Sequence, residues 1–304
     1  MVMRNEFCAA IADVMSASES TFFLTGDLGF NALEGIQQLA GSRFINAGVA
    51  EQSMVGIAAG ITSTGNEAFV YSIAPFATFR CAEQIRLDVC IHDLPVYIVG
   101  NGGGYGYGIM GATHHAIEDI ACMSALDNMA CWIPAFADDV RFCVERMRAE
   151  RKPAYLRLGM GRQRPTASVC GPSSPVVRAR SPRVTVVALG PIVGNVLDAL
   201  VSTGSDVPAD VFSVIRIPLD EPDIAQIATS VESSRRLVVV EEHVSRGGLS
   251  EYIVARLHDM GLDRFHCIRL CAAGYPNKLY GSQRYHQMQS GLDAASIAAE
   301  LRRA

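Results

Sequence analysis

Short apolar runs rich in Val, Ile, Phe and Tyr recur along the chain. Between them lie longer stretches whose apolar positions repeat at helical spacing. The runs predict strands over 21–25, 43–47, 67–72, 95–99, 130–134 and 153–158. The intervening stretches predict helices over about 5–17, 51–64, 76–92, 115–125 and 138–150, with Asp138 as N-cap of the last. Strands apolar on both faces, alternating with helices, imply a parallel sheet covered on both sides. A Pro-, Ser- and Arg-rich stretch over 166–182 breaks the pattern, which then restarts. Further strands are predicted over 183–189, 210–217, 236–242 and 265–270, and helices over 191–203, 222–231, 247–260 and 293–303. The expected architecture is therefore α/β. Two three-layer, parallel-sheet domains, 1–165 and 183–304, are joined by a linker at 166–182.

Composition supports two buried cores and narrows the partners. The chain has 304 residues, 49% of them apolar and 19% charged. A net charge of −5 argues against a general nucleic-acid or anionic-membrane binder. Arg162, Arg164, Arg178, Arg180 and Arg183 cluster around the Pro/Ser-rich stretch and read as solvating it. The nine cysteines, at 8, 81, 90, 122, 131, 143, 170, 267 and 271, form no C-x-x-C pair. They point to free thiols in a reducing cytoplasm rather than to a disulfide framework or a Cys-based metal site. No apolar run reaches the roughly 18 residues that span a membrane.

The segment 44–60 places one carboxylate, Glu51, in an otherwise small and apolar stretch at the predicted start of a buried helix. No Lys or Arg lies between Arg43 and Arg80, so no cation close in sequence is expected to pair with it. A carboxylate so placed is favoured in its charged form by the helix dipole and in its neutral form by desolvation. It can simply complement the dipole, or it can serve proton transfer to a ligand.

Two glycine patterns imitate nucleotide and phosphate motifs. Gly106-Tyr107-Gly108-Ile109-Met110-Gly111 is literally G-x-G-x-x-G. Loop residues separate it from the preceding strand, and the helix does not begin inside it, so a dinucleotide site is not expected. Gly26-Asp27-Leu28-Gly29 lacks the third-position glycine and the later asparagine of a thiamine diphosphate-binding Gly-Asp-Gly motif.

Several ordered motifs carry a resemblance over essentially the whole chain. They are Thr25-Gly26-Asp27-Leu28-Gly29, the Glu51 segment, Pro75-Phe76-Ala77-Thr78-Phe79-Arg80, Gly111-Ala112-Thr113-His114-His115 with Glu118-Asp119-Ile120-Ala121, and Glu241-Glu242-His243 with Gly247-Gly248-Leu249. Together they resemble the C-terminal half of the thiamine diphosphate-dependent transketolase family, carried on a separate polypeptide. The fold implied is a pyrimidine-binding domain followed by a transketolase C-terminal-like domain.

The resemblance implies a role for each matching residue. Glu51 is similar to the glutamate that hydrogen-bonds the cofactor's aminopyrimidine and begins its activation. Phe76 resembles the aromatic stacked on that ring, with Phe79 lining the same face. Asp27 and Leu28 fall against the thiamine. His114 resembles a substrate-facing histidine, whereas His115 and His243 read as structural. Arg4 and Arg157 fall where arginines grip a sugar phosphate, a task suited to the planar guanidinium. Three positions depart from the family. Its phosphate-binding serine is Asn31, a substrate histidine is Gly102, and a hydroxyl-binding aspartate is Met110. Such a site is expected to favour a specialised sugar.

The activity implied is transfer of a two-carbon ketol unit from a ketose donor to an aldehyde acceptor. A partner subunit would bring the diphosphate-binding domain with its Mg²⁺ ligands, most simply in an α₂β₂ heterotetramer, in the carbohydrate metabolism of the cytoplasm. A β subunit of a 2-oxo acid dehydrogenase, a pyruvate-decarboxylating synthase and a non-catalytic scaffolding partner remain as alternatives.

Overall fold

In a computed structural model, residues 2–29, 31–165 and 170–303 are described. Twelve strands run in the order β1 (Thr21–Thr25), β2 (Phe44–Asn46), β3 (Glu67–Ile73), β4 (Val96–Asn101), β5 (Ala130–Trp132), β6 (Ala154–Leu158), β7 (Ser173–Val177), β8 (Val184–Leu189), β9 (Ala209–Val214), β10 (Arg216–Ile217), β11 (Arg236–Glu241) and β12 (His266–Cys271). They form a seven-stranded sheet, β10-β5-β6-β4-β3-β1-β2, and a five-stranded sheet, β12-β11-β8-β9-β7.

The α/β expectation holds, because β1, β3, β4, β6, β8, β9 and β11 carry Val, Ile, Leu, Phe or Ala on both faces and are covered by helices. All pairings are parallel except two. β7 runs antiparallel to β9, and β10 runs antiparallel to β5.

Four expectations need correction. The stretch 166–182 is not wholly a linker, since β7 lies within it; residues 166–169 fall outside the described residues. The single strand expected over 210–217 divides between the two sheets: β9 joins the second, and β10 closes the edge of the first beside β5. Asp138 makes no side-chain cap. Its neighbour Asp139 takes that task, Oδ2 accepting from the N–H groups of Ala135 and Phe136 at 3.0 and 2.9 Å. The helix expected over 76–92 is broken into a turn at Ala74–Thr78, a 3₁₀ turn at Phe79–Cys81, a short α segment and a π-helical stretch at Ile85–Cys90. Irregular helices of this kind re-aim side chains, and this one follows the end of β3.

The arrangement puts four loops side by side. β4, β3, β1 and β2 are parallel neighbours, so the segments leaving their carboxyl ends converge on one rim. Those segments hold Gly102–His114, Phe76–Arg80, Gly26–Asp27 and Glu51. The crevice at the carboxyl ends of parallel strands is where open α/β sheets place ligands. Among the described residues, no helix is long and apolar enough to cross a membrane.

Candidate functional site

Glu51 opens the helix Glu51–Thr62 and is 1% exposed. Its carboxylate is nevertheless partnered. Oε1 accepts from Ser72 Oγ at 3.2 Å, and Oε2 meets Arg80 Nη1 at 2.8 Å. The expectation of a carboxylate without a cation is thus corrected by the fold: the broken helix after β3 turns Arg80 back over the end of the sheet. The same guanidinium lies over the Phe76 ring, its Cζ 4.3 Å from the centroid. Arg80 is 43% exposed at its side chain, so it caps the carboxylate from the solvent side.

Phe76 continues the cluster to His114, their rings 5.3 Å apart and edge to face. His114 Nδ1 is bonded to Thr113 Oγ1 at 2.9 Å, which leaves Nε2 as the ring's route to a ligand. Tyr107 stands on the other side, 5.7 Å from the His114 ring. Asn101 Nδ2 donates to the Tyr107 hydroxyl at 2.9 Å. Burial pushes the Tyr107 phenol above its ordinary range, against the Asn101 hydrogen bond and the nearby Arg4 charge. Cys81, next in the chain to Arg80, is pushed up to about 12, first by burial and then by the Glu51 charge, so it stays a thiol.

The remaining expected residues are dispersed. Asp27 and Asn46 form a reciprocal pair: Asp27 N donates to Asn46 Oδ1 at 3.1 Å, and Asn46 Nδ2 to Asp27 Oδ1 at 2.9 Å. This pair fixes the loop after β1 against the end of β2. Leu28 is half-buried on the core, and its carbonyl accepts from Thr25. Phe79 and Asn31 are exposed, and among the described residues no hydrogen bond, ion pair or ring contact joins either to the cluster. Asn31 N–H is held by Glu34 Oε1 at 2.7 Å. Gly102, Met110 and Arg4 border the same region. Gly102 and Arg4 line a cavity of about 350 Å³, and Met110 is 53% exposed on the loop that leads to His114.

Arg157 does not face a ligand. It is 4% exposed, Nη2 donates to the carbonyls of Ala116 and Glu242 at 2.6 and 2.9 Å, and Nε lies 3.0 Å from Asp119 Oδ2. It ties the His114 loop to the second sheet, so the expected phosphate grip is replaced by an internal one. His115 and His243 are structural. His115 Nε2 donates to the Gly108 carbonyl at 2.7 Å and its Nδ1 bonds the Tyr275 hydroxyl at 2.9 Å. His243 accepts from Ala121 N–H and donates to Val244 O. The G-x-G-x-x-G run forms a 3₁₀ turn broken at Gly111 rather than a strand-to-helix turn.

Residues 1–164 match the transketolase pyrimidine-binding domain, and residues 174–295 match the transketolase C-terminal domain. The chain belongs to the transketolase family. One of the two subunits of the apulose-4-phosphate transketolase of Actinobacillus succinogenes is 29% identical over 264 residues, covering 84% of this chain and 82% of that one. The 1-deoxy-D-xylulose-5-phosphate synthase 2 of Geobacter sulfurreducens is 30% identical over 272 residues, covering 86% of this chain and 42% of the synthase. A solved structure described as a split-gene transketolase in an inactive β4 tetramer superposes with a TM-score of 0.84 at 25% identity, covering 99% of this chain and 97% of its own. The motifs that carry the transketolase resemblance therefore lie in a transketolase fold. Arg80, Ser72, Asn46 and Tyr107 join the site without a signal in the sequence. Their spacing from Glu51 and Gly102 has no local period, and only the convergence of strand ends brings them in.

Proposed function

We propose that this chain is the pyrimidine-binding subunit of a split, thiamine diphosphate-dependent transketolase that moves a two-carbon ketol unit from a specialised ketose to an aldehyde. The observation that carries this reading is the Glu51–Phe76–His114 cluster at the carboxyl ends of four parallel strands. It fits the aminopyrimidine end of the cofactor: a buried carboxylate to meet a ring nitrogen, and beside it a half-exposed phenyl ring to take the flat face. When bound, thiamine diphosphate supplies the nucleophilic thiazolium carbon and the electron sink for C–C cleavage.

The residues of this chain divide the remaining work. Glu51 holds a proton at the aminopyrimidine N1′, with Ser72 fixing its other oxygen. Phe76 stacks on the ring and excludes water from one side. Arg80 now covers both Glu51 and Phe76, so its guanidinium must swing outward for a ring to enter. His114 presents Nε2 to a ketose oxygen, where it orients the hydroxyl or carries its proton. The ligands of the diphosphate and Mg²⁺ come from a partner subunit, the site forms between chains in an α₂β₂ assembly, and the enzyme works in the cytoplasm.

The test is reconstitution with a chain that carries a transketolase diphosphate-binding domain, in thiamine diphosphate and Mg²⁺. Ketol transfer from ketose phosphates to aldehydes is the expected result. Release of CO₂ from pyruvate in place of ketol transfer would move the chain to the decarboxylating synthases.

A further inference from the structure

The loop after β4 contains a substitution of space. Gly102 has φ +75°, and a Cβ built on it would stand 2.2 Å from Tyr107 Cε2 and 2.4 Å from Cδ2. The Tyr107 ring therefore rests on the bare α-carbon of Gly102, in room that any other residue at 102 would fill. A positive φ already favours glycine there; the ring makes glycine obligatory. The phenol is then delivered to the wall of the 350 Å³ cavity that it shares with Arg4 and Asn101.

The chemistry of that wall is one-sided. Asn101 Nδ2 occupies one lone pair of the Tyr107 oxygen, and burial keeps the phenol protonated, so the hydroxyl hydrogen is left to donate. Arg4 Nε is buried without a hydrogen-bond partner among the described residues. Among those residues, no Asp or Glu lines the cavity. An O–H donor and a guanidinium with no acid between them make an oxyanion site in a chain whose net charge is −5. Its position relative to the reacting end is set by two ring-to-ring steps, Phe76 to His114 at 5.3 Å and His114 to Tyr107 at 5.7 Å. That separation is commensurate with a short sugar chain whose carbonyl lies at His114.

We infer that Tyr107 is a specificity-determining residue. Its hydroxyl donates to a tetrahedral oxyanion, phosphate or sulfonate, at the far end of the ketose, and Gly102 supplies the room that lets it stand there. The inference rests on the reading of Phe76 and His114 as the reacting end. Calorimetric titration of the full chain with inorganic phosphate, and separately with methanesulfonate, tests it, and the tighter of the two names the terminus. Tyr107→Phe keeps the ring that covers Gly102 and removes only the donor. It is expected to weaken binding about ten- to a hundredfold, as loss of a hydrogen bond to a charged group does. In the reconstituted enzyme the same variant raises KM for the ketose donor with a much smaller change in kcat. Glu51→Gln leaves oxyanion binding intact while abolishing turnover. If the wild-type chain binds neither anion at millimolar concentration, or if Tyr107→Phe binds as the wild type does, the assignment is overturned. A reconstituted complex that transfers no ketol unit, but in which Tyr107→Phe still loses the oxyanion, sinks the proposed reaction and leaves the oxyanion site standing.

Discussion

Arg80 Nη1 lies 2.8 Å from Glu51 Oε2 while the same guanidinium covers the face of Phe76. One side chain thus occupies both surfaces that an aminopyrimidine would use. The pair joins a carboxylate 2% exposed to a guanidinium 43% exposed, so its strength lies well below that of a fully buried bridge. Arg80→Ala strands the Glu51 charge in the interior and is expected to cost about 1–2 kcal/mol of unfolding free energy. Adding Glu51→Gln to that variant removes the stranded charge and recovers part of the loss. A double-mutant cycle by chemical denaturation reads the coupling, and additive effects would show that the two groups do not interact.

Catalysis should respond to the carboxylate far more than stability does. Glu51→Gln preserves shape but cannot exchange a proton at the ring nitrogen. Ketol transfer by the reconstituted enzyme is expected to fall on the order of 10²–10⁴-fold. Activity within a few-fold of wild type would remove Glu51 from the chemistry.

Phe76 offers its ring to Arg80 in the absence of cofactor and to the cofactor when it enters. Phe76→Leu, which keeps apolar volume and loses the aromatic face, is expected to weaken thiamine diphosphate binding by roughly tenfold or less. Cofactor titration of the assembled enzyme, followed by recovery of activity, measures the change.

Gly104 has φ +63°, and a Cβ there would stand 2.3 Å from Glu242 Oε1. That carboxylate cannot easily yield, because Tyr105 N–H donates to it at 2.6 Å and Gln283 Nε2 at 2.9 Å. Gly104→Ala is expected to cost about 2 kcal/mol or more, from backbone strain and from displacing a buried, bonded group. Thermal or urea unfolding gives the cost directly.

His115 and His286 lie 4.9 Å apart among Tyr105, Tyr275 and Tyr280, and burial lowers the pKa of both from 6.5. The His114 charge also bears on His115, and Glu118 is the acid felt by neighbouring Tyr275. With folded-state values depressed, the unfolded chain binds more protons just below pH 6.5. Stability is therefore full above pH 6.5 and is lost as pH falls through the folded-state values. The Tm-against-pH curve should drop on that side, and His286→Gln should flatten it.

The repeating strands and helices are legible in the sequence because parallel strands buried on both faces leave a strong apolar signature. The first sheet from β1 to β6 follows the predicted runs closely. β7 is hidden by Pro175 and its serines, which suit an edge strand and look like a linker. β9 and β10 read as one strand because both are apolar; the bend at Ile215 that sends them to different sheets leaves no periodic trace. In the site, Glu51, Phe76 and His114 are legible from motif and context. Arg80 stands in plain view as part of a motif, yet its partner lies in another segment. Arg157 misleads for the converse reason: an arginine at a strand end looks like a grip, and only the fold shows Asp119 and two carbonyls already holding it.

The antiparallel pairing of β10 with β5 has a consequence for synthesis. β5 emerges from the ribosome long before Arg216 and Ile217 exist to cover its outer edge. Until then the nascent first sheet ends in a short open ladder, and it is completed by a segment that also anchors the second sheet through β9. The two halves are therefore not sequential modules finished one after the other. The first reaches its final hydrogen-bonded form only as the second begins to fold, which makes the region around residues 209–217 the stitch between them.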